Sequence, residues 1–331
     1  MKSSTVETNS SVLTIAGDVT VQDNAAPAAM TGSIRLQEGA PGAGRLWTLQ
    51  GSSVLNVSAT LLGHELRKQG PGNLLCQGNN SIPTLRMLEG PVTWNGDAPQ
   101  TVVFLNAGTL RGEGRVATVI ALPTAAVRRL EPGQSPGIFR LGNFSGTFAL
   151  TLGLELNGTV RGTSYDSLDL TGNAMNTNDT RLDVSVGFTA AIGDSFTIVN
   201  NTTANAVNGN FTSLAGAIAE GGHFTAPGGH TFRLTYTGGD GNDVVITKVT
   251  PPPAVFGTLI LTSGTGPEAG MDIVTATATG AAGLSHVLEA STSLSAWAAL
   301  QSLTSTAAGP LSFRVTQTPG IPRRFFRIRT L

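Results

Sequence analysis

The chain has 331 residues, with 20 basic and 21 acidic side chains and a formal net charge of -1. Only 12% of its residues are charged, about half the usual ~25%. This excludes coiled coils and charge-rich helical bundles, and it leaves no basic field for nucleic acid or an anionic membrane surface. The 42 glycines and 40% hydrophobic residues allow a core but disfavour helix, and the single cysteine, Cys76, excludes a disulfide framework and a cysteine-ligated zinc site.

No run of 18 apolar residues exists, so no helical membrane span is expected. The opening Met1-Lys2-Ser3-Ser4-Thr5-Val6-Glu7 lacks the apolar core of a secretory signal. For an exported protein, that absence makes the chain a truncated or processed form.

In chain order, short β-branched runs separated by Gly, Asn, Asp and Ser fill the sequence. Residues 12–15, 54–57, 102–105, 150–152, 182–186 and 196–199 read as strands. The best helical candidate, residues 212–218, is too short and contains Gly216. Strand-plus-glycine units recur before residue 150, as in Leu74-Leu75-Cys76-Gln77-Gly78-Asn79-Asn80 and Phe104-Leu105-Asn106-Ala107-Gly108-Thr109-Leu110. Units too short to bury their own apolar face become stable when coils stack. An all-β fold is therefore expected: a right-handed parallel β-helix (solenoid) over residues 1–248, whose closing β segment spans about 130–248.

The proline run at 249–254 cannot donate ladder hydrogen bonds and reads as a linker. Beyond it, residues 255–331 carry alternating runs at 256–261, 273–279, 286–289, 311–315 and 325–328. Turn clusters at 263–266 and 308–310 separate them, which predicts a small antiparallel β-sandwich.

Lys68-Gln69-Gly70-Pro71-Gly72-Asn73-Leu74, followed by Asn106-Ala107-Gly108-Thr109-Leu110-Arg111-Gly112-Glu113-Gly114, resembles the autotransporter-associated β-strand repeat. Pro132-Gly133-Gln134-Ser135-Pro136-Gly137 matches the turn that follows such repeats. Segments at 165–172, 192–196 and 238–245 match their closing region. Residues 287–294, Trp297 and 324–328 are similar to a C-terminal module of secreted verrucomicrobial proteins, although His286 and Ala296 stand where that module has Tyr and Asn. The resemblance implies an extracellular or cell-surface location, a passenger-like structural or adhesive role, and surface glycans or other cell-surface proteins as partners. It implies no enzymatic activity.

Several motifs offer chemistry, and each has a plainer structural reading. Gly133-Gln134-Ser135-Pro136-Gly137 spells a nucleophile elbow, but Pro136 and the absence of a following helix make it a turn. Gly112-Glu113-Gly114 opens no helix for a pyrophosphate and reads as a corner. Gly238-Gly239-Asp240-Gly241-Asn242-Asp243 fits a calcium-binding nonapeptide, with Asp240 and Asp243 as candidate ligands. A single copy supplies about half a coordination shell, so a tight Gly-Asp turn is favoured and calcium is the competing reading.

The four histidines, His64, His223, His230 and His286, follow no metal-ligand spacing. Asp166 with Asp169, Asp183 with Asp194, and Glu113 with Glu131 are the carboxylate pairs available to a carbohydrate-active β-helix enzyme, a hydrolase or lyase. Exposed turn carboxylates are the plainer reading. A cleft lined by acids and an arginine would favour the enzyme. Trp47, Trp94, Trp297, Tyr165 and Tyr236 are too few for a sugar-stacking row, and Trp297 is expected in a core. The terminal Arg323-Arg324-Phe325-Phe326-Arg327-Ile328-Arg329 reads as an edge strand with an arginine face.

Overall fold

The computed structural model describes residues 5–331 except 24–25, 40–42, 147–148, 173, 282, 306–308 and 319–323. Among the described residues the protein is all-β, with no α-helix and a single 3-10 turn at Gly266–Glu268. The chain divides into two compact units. The first is Met1–Ala190 with Asp194–Phe211 and Thr235–Ile246; the second is Ala191–Gly193, Thr212–Leu234 and Thr247–Leu331.

The first unit is built from two parallel sheets, and in its central part consecutive strands alternate between them. One sheet runs Val54–Val57, Asn73–Cys76, Pro91–Trp94, Gly108–Gly112, Arg128–Pro132, Thr151–Leu156, Arg181–Val186. The other runs Arg45–Leu49, Leu66–Gln69, Thr84–Met87, Asp97–Leu105, Arg115–Ala121, Ile138–Ser145, Ser167–Leu170, Ser195–Asn201. In the first sheet, paired residues lie 27 apart between Ala28 and Leu55, 18 to 20 apart at each step from Leu55 to Leu130, and 30 apart between Leu152 and Leu182.

Strand pleating explains the register. Every second side chain points inward, and in parallel register the inward positions of successive strands meet. Leu55, Leu74, Val92, Leu110, Leu130, Leu152 and Leu182 therefore form one continuous aliphatic ladder. All seven are buried, six of them completely. Each such side chain contributes roughly 1.5–3 kcal/mol of burial. On the second sheet the ladder reads Trp47, Lys68, Met87, Leu105 and Ala121, with a fully buried lysine in its middle.

Glycines fill the corners between the strands. A Cβ on Gly90 would overlap the Gly70 carbonyl oxygen, and one on Gly108 would overlap that of Gly90. All three glycines have positive φ. Gly78, Gly96 and Gly114 form a second column, in which a Cβ on Gly96 would overlap the Gly78 oxygen.

The second unit holds two three-stranded antiparallel sheets, in the orders Val255–Ser263, Asp272–Gly280, Gly309–Gln317 and Ala298–Thr304, Ser285–Ser291, Phe325–Thr330. Ala276, Ala278, Leu288, Leu311 and Phe313 form their core, with Leu300, Phe326 and Ile328 packed on it.

Two expectations differ from the structure. Gly309 and Pro310 open a strand rather than a turn, because they pair with Gly280 and Thr279; Ala308 lies outside the described residues. The strand Ala298–Thr304 is missed by the sequence pattern, since its alanines and polar residues carry little β signal and it is stabilised by pairing with Ser285–Ser291. Thr250–Ala254 lies in no strand, and the Ala254 N–H donates to Thr330 Oγ1 at 3.0 Å.

Candidate functional site

A polar groove of about 400 Å³ opens on the outward face of the first sheet. Alternation places its side chains. In Arg128–Pro132, Leu130 and Pro132 point inward while Arg129 and Glu131 point out; in Thr151–Leu156, Leu152, Leu154 and Leu156 are buried while Glu155 is half-exposed. Parallel register aligns the outward positions of neighbouring strands, pairing Thr93 with Arg111, Arg111 with Glu131, Gly153 with Asp183, and Glu155 with Ser185.

The groove holds four carboxylates and two guanidiniums. Arg129 Nε donates to Glu131 Oε1 at 2.7 Å, and its Nη1 donates to Asp183 Oδ2 at 2.9 Å. Burial opposes the Arg129 charge, but these two bonds outweigh it and raise the pKa. Arg111 Nε donates to Thr93 Oγ1 at 3.3 Å, and no ion pair to Arg111 occurs among the described residues. Ser135 Oγ donates to Glu155 Oε2.

Asp166 is 3% exposed. Its two oxygens accept the Gly137 and Glu155 backbone N–H groups, each at 2.8 Å. Burial pushes its pKa up to about 6; the two backbone bonds oppose that rise and the charges of Glu155 and Glu131 add to it. With both oxygens committed, Asp166 staples the turn to the sheet and has little freedom to act on a ligand.

The groove takes one member from each expected carboxylate pair: Asp166, Asp183 and Glu131. Their expected partners are not part of its lining. Asp169 pairs with Arg161 at 2.5 Å and Arg140 at 3.6 Å on the other sheet, while Glu113 lies beside Gly137. Sequence reasoning missed Arg129, Arg111 and Glu155. Their outward positions follow from parallel register, which spacing within one strand does not disclose.

Gly133–Gly137 forms a turn between the strands Arg128–Pro132 and Ile138–Ser145, with Gly133 and Ser135 at positive φ and no helix after them. Gly112-Glu113-Gly114 turns the corner between Gly108–Gly112 and Arg115–Ala121. In the Gly238–Ile246 string the Gly241 N–H donates to Gly238 O at 2.8 Å, closing a tight turn. Asp240 is exposed, and Asp243 Oδ1 accepts the Asn201 N–H at 2.8 Å. Among the described residues no three His, Cys, Asp or Glu side chains converge on a metal position. His223 pairs with Arg233, whereas His230 pairs with Ala226 at the other end of the same hairpin.

The Cys76 thiol is buried and pushed up to about 12, so it is a poor nucleophile. Trp47 and Trp94 are fully buried. Trp297 departs from the expected core position: it is half-buried before the strand Ala298–Thr304, with the Arg327 guanidinium 4.2 Å from its ring centroid. A cation over its ring, together with its Nε1–H donating to Leu294 O at 3.1 Å, replaces core packing. The terminal arginines serve Glu289, which accepts from Arg327 at 2.7 Å and from Arg329 at 3.1 Å; Arg323 lies outside the described residues.

No helix among the described residues is long and apolar enough to cross a membrane. Compared with models of known protein families and with curated proteins, the chain matches none.

Proposed function

We propose that the chain is a non-enzymatic structural or adhesive protein of the cell surface or extracellular space, built as a right-handed parallel β-helix followed by a small antiparallel β-sandwich. The observation that carries this reading is the unbroken ladder from Leu55 to Leu182, laid down by strands that alternate between two parallel sheets. Stacked units of this kind share one interior and leave their outer rows to face a partner. The resemblance of the strings at residues 68–74 and 106–114 to the autotransporter-associated repeat supports the surface location. Partners would be surface glycans or other cell-surface proteins.

Protease treatment of intact source cells tests the location, with an antibody against residues 255–331 as the readout. Loss of the signal without cell lysis is expected. A protected cytosolic pool comprising all of the protein would overturn the reading.

A second reading, a carbohydrate-active hydrolase or lyase, is favoured by the acid- and arginine-lined groove alone. Glu131 and Asp183 are held by Arg129, and Asp166 by two backbone amides, which leaves Glu155 without a free acid partner. Release of reducing ends or unsaturated products from a polysaccharide panel would establish this reading.

A further inference from the structure

We infer that the groove between Arg111 and Asp183 binds a neutral, polyhydroxylated ligand, a glycan chain without carboxylate, sulfate or amine groups. This deepens the adhesive reading and rests on it only for the idea that something is held there.

The outward rows carry both donors and acceptors. The Nη groups of Arg111 are donors. The second oxygens of Glu131, Asp183 and Glu155 are acceptors, and Gln134 and Ser185 offer both. A polyanion would meet the three outward carboxylates Glu131, Asp183 and Glu155, and a polycation would meet two guanidiniums, so each fits only part of the surface. A hydroxyl group both donates to carboxylate and accepts from guanidinium, and a chain of hydroxyls can do both at successive strands, which are spaced about 4.8 Å apart.

The carboxylates do not converge as a cation cage, since no three of them approach a common metal position among the described residues. The lining contains no aromatic ring, so recognition rests on hydrogen bonds and not on stacking.

Isothermal titration of the full chain with cellohexaose, maltohexaose and N-acetylchitohexaose, beside hexagalacturonate and spermine, tests this. Saturable binding of at least one neutral oligomer is expected. Arg111→Ala should weaken it about tenfold, the loss of a hydrogen bond to a charged group, and Glu155→Gln should weaken it measurably. Both variants are checked for an unchanged melting temperature, and the exposed Gln134→Ala serves if either fails to fold. Three results would each overturn the inference: no neutral oligomer binding at millimolar concentration, binding unmoved by these substitutions, or tighter binding of hexagalacturonate or spermine than of every neutral probe. Cell-surface location is read separately by protease treatment, so the failure of one proposal is not mistaken for failure of the other.

Discussion

Arg129 reaches Asp183 at 2.9 Å although the two are 54 residues apart and a strand lies between them. The intervening strand has Gly153 at the crossing point, where a Cβ would come within 2.8 Å of Arg129 Nη2 and 3.1 Å of Glu131 Cγ. The missing side chain is what lets the guanidinium lie across the sheet. Both ends of the bridge are partly exposed, so its coupling is modest, about 0.5–1 kcal/mol. A double-mutant cycle with Arg129→Ala and Asp183→Ala should return that value, and it should vanish in a Gly153→Leu background, where the new side chain fills the crossing point. Persistence of the coupling in that background would show that the bridge takes another path.

Asp166 should make stability depend on pH in an unusual direction. Its folded pKa, about 6, lies above the ordinary carboxylate value. The stabilisation is therefore complete below about pH 3.9 and is lost as pH rises through 6, an effect on the order of 2 kcal/mol. Urea midpoints between pH 4 and 7 should fall more steeply for the native chain than for Asp166→Asn. The variant should also be less stable at pH 5 by about 1–3 kcal/mol, because an amide cannot accept both backbone N–H groups. Equal slopes for the two proteins would remove Asp166 as the titrating group.

Lys68 carries the opposite sign. It is fully buried, and its ammonium donates to the carbonyls of Gly70 and Glu89. Burial lowers its pKa to about 8, with the Glu89 charge opposing. The unfolded chain binds the proton more tightly, so stability from this group is full above about pH 10.4 and is lost as pH falls through 8. Lys68→Met keeps the ladder between Trp47 and Met87 filled. It should flatten the rise between pH 8 and 10, measured by chemical denaturation, and change stability at pH 7 by no more than about 2 kcal/mol.

The corner columns predict a sharp contrast among glycines. At Gly96 an added methyl would overlap the Gly78 carbonyl oxygen, whereas Gly17 has nothing within 4 Å of its Cβ position. Gly96→Ala should cost at least about 2 kcal/mol by forcing two backbone segments apart. Gly17→Ala should fall within about 0.5 kcal/mol of the native chain. Comparable melting temperatures for the two variants would refute the close stacking of these corners.

Calcium at Asp240 and Asp243 has a direct check. Asp243 already spends one oxygen on the Asn201 N–H, and Asp240 is exposed in the turn. EDTA should leave the melting temperature unchanged. A rise of several degrees on adding calcium, abolished by Asp243→Asn, would establish a site there through linkage.

Local chemistry accounts for what was readable in the sequence. β-branched runs such as 54–57 and 182–186 are strands because their side chains fit a pleated surface, and the glycines at 70, 90 and 108 turn corners because they tolerate positive φ. The all-β class and the turns at Gly112-Glu113-Gly114 and Gly238–Asp243 follow from the same local preferences. Register belongs to another level. Which outward residue lies beside which depends on the number of residues between strands, and that number varies along the chain, so Glu131, Glu155 and Asp183 join one groove while Asp169 serves the other sheet. Tertiary stacking alone could set Arg129 across Gly153, because the contact spans 54 residues and requires the absence of a side chain on a strand that makes neither partner.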